Sequence, residues 1–298
     1  MTFRDPPGLH RRAFLQQGAL YLASASGLAA DENTKPLFQI GLMTDLHYAD
    51  KPATKTRFYR EALTKIDEAV STFNQKGPAF VVELGDLIDA APTVEQEIVW
   101  LQTIEKRYAA LSMPRHYVLG NHCVTTLTKE EFASHTGASK SSNYTFDHGG
   151  IRFVILDACF REDGTSYGRS NFHWQDTHIP DHQLEWLKTQ LSSMPSPVII
   201  FAHQRLDNNP AHAVKNAAAV RSILEKAGNV LAVFQGHSHK NDYQQIAGIH
   251  YTTLVAMVEG SGTENSGYAL LDVLPDRSLK LHGFRRQAIR NFDPSPES

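Results

Sequence analysis

The sequence predicts an α/β fold: a four-layer αββα sandwich in which two mixed β-sheets pack face to face and helices cover both outer faces. Three observations carry this expectation. Short apolar runs that read as strands alternate with longer segments of helical spacing through most of the chain. From Asn241 onward the pattern becomes strand-rich. Histidine- and carboxylate-bearing motifs stand just past the ends of the apolar runs, at the edge where the loops of α/β sheets converge on a ligand.

The elements follow in order. Residues 37–44 form a continuous apolar strand that ends at Asp45. Residues 56–75 have helical spacing, with Leu63, Ile66, Ala69, Val70 and Phe73 on one side. Residues 79–84 read as a second buried strand, and 94–111 as a helix striped by Ile98, Leu101, Ile104 and Tyr108. A short strand over 116–119 follows, then a hairpin of 144–147 and 151–156 turned at Gly149-Gly150. A helix over 181–191 is capped by Asp181 or by a residue just before it. Strands over 198–202 and 230–235 flank a helix over 213–227. Four more strands are expected at 243–246, 250–254, 266–274 and 278–284.

Composition bounds the rest. With 298 residues and 41% apolar content the chain can bury one sizeable core, assigned to residues 31–292. A net charge of −3 gives no basic excess, so nucleic acid is not expected as a partner. Residues 293–298 form a loose tail. Residues 1–30 read as a twin-arginine-type signal peptide: Arg11-Arg12 precede Phe14-Leu15, then a mildly apolar stretch with small residues for cleavage. That reading implies a bacterial periplasmic or secreted location, with the twin-arginine export machinery as a partner. The apolar stretch is too short and polar for a stable membrane span. With two cysteines, Cys123 and Cys159, the chain is no disulfide scaffold, although an oxidising compartment would permit a bond between them.

Five motifs carry the chemistry. They are Asp45-Leu46-His47, Gly85-Asp86-Leu87-Ile88-Asp89, Gly120-Asn121-His122, the isolated His203, and Gly236-His237-Ser238-His239. Carboxylate, imidazole and an amide oxygen suit divalent ions such as Mn, Fe, Zn or Co. Two such ions about 3.5–4 Å apart clamp the attacking and leaving oxygens of a phosphoryl transfer. One His-x-His pair would be weak evidence in a chain with fifteen histidines; five motifs in order, each after a strand, are specific.

This ordered set resembles the calcineurin-like metallophosphoesterase superfamily over roughly residues 41–239. The resemblance implies that Asp45, His47 and His239 hold one metal ion and that Asn121, His203 and His237 hold a second. Asp86 bridges them, and two divalent transition-metal ions, manganese first and iron or zinc next, are the implied cofactors. A metal-bridging hydroxide would then attack a small phosphate-ester or diphosphate substrate. His122 would protonate the leaving oxygen or stabilise the phosphoryl oxygens, oriented by the carboxylate of Asp89. In purple acid phosphatases the position of Asp89 holds a metal-binding tyrosine, so no tyrosinate–iron colour is expected. Gly-Asn-His is commonly followed by an acidic residue; here Cys123 stands there, read as a small buried residue or, less simply, as a redox group or ligand.

A narrower likeness is carried by residues 40–50, Arg57-Phe58-Tyr59-Arg60, Leu156-Asp157-Ala158 and residues 250–260. It is similar to the manganese-dependent ADP-ribose/CDP-alcohol diphosphatase branch, whose first motif often has Gln where this chain has His47. Substrate contacts are expected from Arg161, in the polar and aromatic insert 160–180, and from Arg205, two residues past His203. The insert could instead pack its own aromatics, and Arg205 could instead pair with Asp207. The alternative of a different class is a non-catalytic metal-binding scaffold of the same fold. Retention of the bridging Asp86 together with Asn121, His122 and both paired histidines favours the enzyme.

Overall fold

The computed structural model describes residues 35–193 and 195–293. The export segment expected at 1–30, and residues 294–298 of the expected tail, lie outside the described residues.

The strands are β1 (Phe38–Met43), β2 (Phe80–Glu83), β3 (Arg115–Tyr117), β4 (Tyr144–His148), β5 (Ile151–Ile155), β6 (Val198–Phe201), β7 (Val230–Gln235), β8 (Asp242–Ile246), β9 (Ile249–Thr253), β10 (Gly267–Val273), β11 (Leu279–Arg285) and β12 (Arg290–Phe292). The α-helices are α1 (Ala62–Lys76), α2 (Val94–Tyr108), α3 (Lys129–Ser134), α4 (Asp181–Ser192) and α5 (Ala217–Ala227). One sheet runs β12-β11-β10-β1-β2-β3 and the other β4-β5-β6-β7-β9-β8. Both are mixed: β1, β2 and β3 run parallel, as do β5, β6, β7 and β9, while the remaining pairs are antiparallel.

Period-two alternation sorts the strand side chains into layers. Ile40 and Leu42 of β1 and Phe80 and Val82 of β2 face Phe153, Ile155, Ile199, Phe201 and Phe234 across the sheet–sheet core. Met43 and Val81 point the other way, onto Ile66, Phe73, Leu101 and Ile104 of α1 and α2. On the outer face of the second sheet, Val154, Ile200 and Val233 pack against Leu184, Leu187, Val220 and Leu224 of α4 and α5. The result is the expected αββα sandwich. No helix among the described residues is long and apolar enough to cross a membrane.

Helix ends follow local chemistry. Thr93 caps α2 by accepting the Gln96 amide at 3.2 Å. Helix α1 stops at Gly77, whose left-handed φ of 66° lets its amide bond Phe73 O at 2.8 Å. The helix expected from residue 56 starts later, because the backbone of 56–58 pairs elsewhere: Phe58 N donates to Val258 O at 2.9 Å and Gly260 N to Thr56 O at 2.7 Å. Likewise the helix expected from 213 begins at Ala217, since Val214 N donates to Arg205 O at 2.9 Å. Short α3, set by a Thr128/Glu131 capping box, and three-residue β12, anchored by buried Phe292, are additions.

Candidate metal centre

The loops after β1, β2, β6 and β7 meet at one edge of the two sheets. They are laced together by backbone bonds: Asp45 N to Gly85 O at 2.9 Å, His47 N to Asp86 O at 2.8 Å, and Gly236 N to His203 O at 3.1 Å. Asp45, His47, Asp86, His237 and His239 all have positive φ, between 45° and 70°. Such conformations are costly for residues with a side chain and cluster at functional sites. Here they turn alternate ligands of each short motif toward the same cleft.

Two separate donor groups result, Asp45, His47 and His239, and Asp86, His203 and His237, each with ligand atoms within 4.8 Å of one another; a third such set, His47, Asp89 and His122, shares His47 with the first. Oδ2 of Asp86 stands between the groups, 3.5 Å from His47 Nε2 and 3.1 Å from His203 Nε2. Its other oxygen accepts the His122 amide at 2.7 Å. Asp45 Oδ1 lies 3.6 Å from His47 Nε2 and 3.4 Å from His239 Nε2. Its Oδ2 is fixed by Thr44 Oγ1 at 2.8 Å and the His237 amide at 3.0 Å.

The donor set fits a pair of cations. Asp45 Oδ1, Asn121 Oδ1 and His237 Nε2 are buried without a hydrogen-bond partner, which is costly for polar atoms unless something else satisfies them. Nε2 of His47 faces Nε2 of His239 at 3.0 Å, and Nδ1 of His237 faces Nε2 of His203 at 3.3 Å. Facing imidazole nitrogens and carboxylates form a hard-to-borderline N/O donor set able to chelate two divalent transition-metal ions.

Neighbouring groups orient these ligands. His203 Nδ1 is held by Leu84 O at 2.9 Å, which leaves Nε2 directed at Asp86. His239 Nδ1 bonds the Glu259 carboxylate at 2.7 Å. Glu259 was quoted in the sequence only as part of the 250–260 run; its role came from a fold that brings a C-terminal loop to His239. His122 Nδ1 meets Asp89 Oδ1 at 2.7 Å, and Lys51 Nζ sits 3.1 Å from the other Asp89 oxygen. No motif singled out Lys51.

Charge states follow from burial and from these contacts. Burial pushes His47 down to about 4, despite the opposing charge of Asp86, and His237 down to about 3. Both imidazoles are therefore neutral at pH 7, whereas against the same burial the nearby carboxylates raise His203, and His239 to about 9. Burial opposes ionisation of Asp45 and Asp86, yet the surrounding histidines hold both carboxyls below their ordinary range. Burial also resists protonation of His122, but Asp86 and Asp89 raise it above an ordinary histidine. Beneath the cluster, buried Glu83 is pushed well up by desolvation and by the charges of Asp45 and Asp86.

The cleft above is about 430 Å³ and is lined by imidazoles of the two groups, by His122 and Asn121, and by Arg57, Thr125, Ser170, Phe172, His173, Trp174 and His212. The insert 160–180 divides its labour. Tyr167 is buried and stacks on Phe172 at 3.7 Å, while Trp174 stands 5.6 Å from the His237 ring.

Two expected substrate contacts are corrected. Arg205 is buried and bidentate to Asp207, at 2.9 and 2.6 Å, with a further bond to Asp242 at 2.6 Å. With two carboxylates consuming its donors it props the Ser238 loop instead of lining the cleft. Arg161 pairs with Asp163 at 2.8 Å within its own turn and is not among the cleft residues. Arg57, which no motif singled out as a contact, lines the cleft instead. Cys123 and Cys159 are free, buried thiols. Burial and nearby carboxylates push both upward, which suits small packed side chains.

Comparison with known proteins places this geometry. The chain is 26% identical over 309 residues to a manganese-dependent ADP-ribose/CDP-alcohol diphosphatase of Oryza sativa subsp. japonica, covering 87% of this chain and 95% of that protein. An Arabidopsis thaliana protein of the same description is 25% identical over 315 residues, covering 87% and 98%. The structure of a dimetal phosphatase from Danio rerio superposes with a TM-score of 0.78 at 23% identity, covering 88% of this chain and all of that one, a likeness of fold. The curated relatives come from plants, amphibians and fish. These eukaryotic sources overturn the expected bacterial periplasmic or secreted location and its twin-arginine route. A family model described as calcineurin-like phosphoesterase matches residues 38–241, the stretch that carries every motif above. With that match and a clustered His/Asp centre of the dinuclear kind, the chain belongs to the calcineurin-like phosphoesterase family, as a metal-dependent hydrolase.

Proposed function

We propose that this protein hydrolyses the phosphoanhydride of a small nucleoside-diphosphate-linked compound, the chemistry named for its rice and Arabidopsis relatives. The observation that supports this most is the placement of Asp86 Oδ2 between two histidine-rich donor groups, beneath a cleft of about 430 Å³ with an aromatic wall. Asp45, His47 and His239 would hold one ion, Asn121, His203 and His237 the other, and Asp86 both; manganese is the first candidate. When bound, such ions supply Lewis acidity to phosphoryl oxygens and a nucleophile from water at neutral pH.

The chain's own residues do the remaining work. Asp89 accepts from His122 Nδ1 and so fixes the ring with Nε2 free to act. His122 lies edge-on to His47, ring centroids 4.6 Å apart, which puts it beside the first donor group. Nε2 of His122 then delivers a proton to the leaving phosphate or steadies its charge. Glu259 and Leu84 O hold His239 and His203 in the tautomers that ligation needs. Trp174 and Phe172 offer flat apolar faces to a base or sugar.

The test is hydrolysis of ADP-ribose and CDP-choline by purified protein, stripped of metal and then supplied with manganese, with nitrophenyl phosphate as the monoester control. Manganese-dependent release of AMP or CMP is expected. Turnover of the monoester alone would sink the diphosphatase reading and leave a general phosphoesterase.

A further inference from the structure

We propose that Arg57 is a specificity-determining residue that binds the second, non-reacting phosphate of a diphosphate-linked substrate. This rests on the phosphoanhydride reading above and deepens it.

Among the described residues lining the cleft, Arg57 is the one Arg or Lys. It is partly exposed, and no ion pair or side-chain hydrogen bond engages its guanidinium among the described residues. Nearby cations are otherwise consumed: Arg60 by Asp50, Arg161 by Asp163, Arg169 by Glu131, and Arg205 by Asp207 and Asp242. Its positive charge nonetheless acts on His122, His239 and Glu259, so it stands beside the first donor group.

The backbone places it firmly. Thr54 and Arg57 exchange reciprocal amide–carbonyl bonds of 3.0 Å, and Arg57 forms an antiparallel bridge with Glu259, the residue that orients His239. That C-terminal loop is pinned from below. Buried Lys65 donates to the carbonyls of Met257, Glu259 and Gly260 at 2.8, 3.1 and 2.6 Å. Arg57 is thus fixed to the loop that carries a ligand's partner.

Charge and chemistry then select the occupant. The donor groups can engage one phosphoryl group. A substrate with a single phosphate leaves Arg57 unanswered, whereas a diphosphate carries a second anion a few bonds away. A planar guanidinium with paired donors suits phosphate oxygens. Trp174 and His212 stand beside His237, in the second donor group. The cleft lining thus joins a cation near the first donor group to aromatic rings near the second, a pattern suited to a molecule bearing two phosphates and a flat group.

The experiment is calorimetric titration of manganese-loaded protein with α,β-methylene-ADP, a diphosphate whose bridge resists cleavage, and with AMP, which has one phosphate. Wild type should bind the methylene diphosphate more tightly than AMP. Arg57→Gln should weaken the diphosphate analogue ~10–100-fold, as expected for lost hydrogen bonds between charged groups, and AMP by less than about threefold. Arg57→Lys should fall between. Because the guanidinium holds no partner among the described residues, thermal melts of Arg57→Gln should match wild type. In ADP-ribose turnover the variant should raise KM more than it lowers kcat. Equal weakening of both ligands would reassign Arg57 to the reacting phosphoryl group and overturn the proposal. So would no change with either ligand, or a wild type that does not prefer the diphosphate. Failure of the broader reading looks different: wild type binds the analogue with this preference but cleaves neither ADP-ribose nor CDP-choline.

Discussion

His122 and Glu259 show how single side chains divide the work at this centre. His122 offers its backbone amide to Asp86 and its ring to Asp89, so the two contributions can be separated by mutation. His122→Ala keeps the amide bond and should retain both metal ions while slowing turnover by ~10²–10⁴-fold, the usual contribution of a positioned acid. Steady-state kinetics alongside elemental analysis checks both halves; an apo protein would place His122 among the ligands. Glu259→Gln acts at one remove. It weakens the carboxylate that fixes His239 Nδ1 and should lower metal affinity by ~10–100-fold while leaving the fold intact. Competition with a metal chelator measures this, and unchanged affinity would show that His239 is held by its loop alone.

At the scale of elements, the strand–loop junctions position the ligands, and two glycines make the close approach possible. A Cβ on Gly120 would collide with the carboxylate and amide of Asp86, and one on Gly236 with Thr44 and the Asp45 carboxylate. Neither glycine needs a left-handed backbone here; each is small because a ligand loop from another strand lies against it. Gly120→Ala should therefore displace Asp86, costing about 1–3 kcal/mol by overpacking and a larger fraction of metal content. Chemical denaturation and metal analysis on one preparation report the two effects. An alanine variant with full metal loading would mean the β2 loop can yield. These contacts were invisible along the chain. Gly-Asn-His could be recognised as a motif, but the reason its glycine cannot carry a methyl group lies 34 positions earlier, at Asp86.

Across the whole molecule the two sheets must stay registered for loops from both to share a cleft. Part of that registration is an aromatic cluster between them. His116 of β3 stacks on Phe146 of β4 at 3.7 Å, meets Phe80 of β2 at 5.4 Å, and bonds the Tyr144 hydroxyl at 3.2 Å. Burial pushes His116 down to about 4. The unfolded chain, with an ordinary histidine near 6.5, therefore takes up this proton first as pH falls. The folded state loses stability between about pH 6.5 and 4, by at most about 3 kcal/mol from this group, and is unaffected by it above that window. Urea titrations from pH 7.5 to 4.5 should show the loss, and His116→Phe should flatten that part of the profile. An identical slope in both proteins would assign the acid sensitivity elsewhere.

Sequence alone determined the layer order and the strand–helix alternation, and it named the motifs whose Asp and His side chains cluster in the structure. Those features rest on local signals: apolar period, strand length, and short motifs whose residue types have few other uses together. It stretched the helices at 56 and 213 and missed β12, because the backbone bonds from Phe58 to Val258 and from Val214 to Arg205, and the burial of Phe292, join distant segments; it also missed the six-residue α3, whose Thr128/Glu131 capping box is a local signal. It offered Arg161 and Arg205 to the substrate and gave no site role to Arg57, Lys51 or Glu259. A guanidinium looks the same in a sequence whether carboxylates consume it, as Asp207 and Asp242 do at Arg205, or whether it stands unpaired at a cleft. Only the tertiary structure decided that, because ion pairing and access to a cavity depend on which remote segments meet.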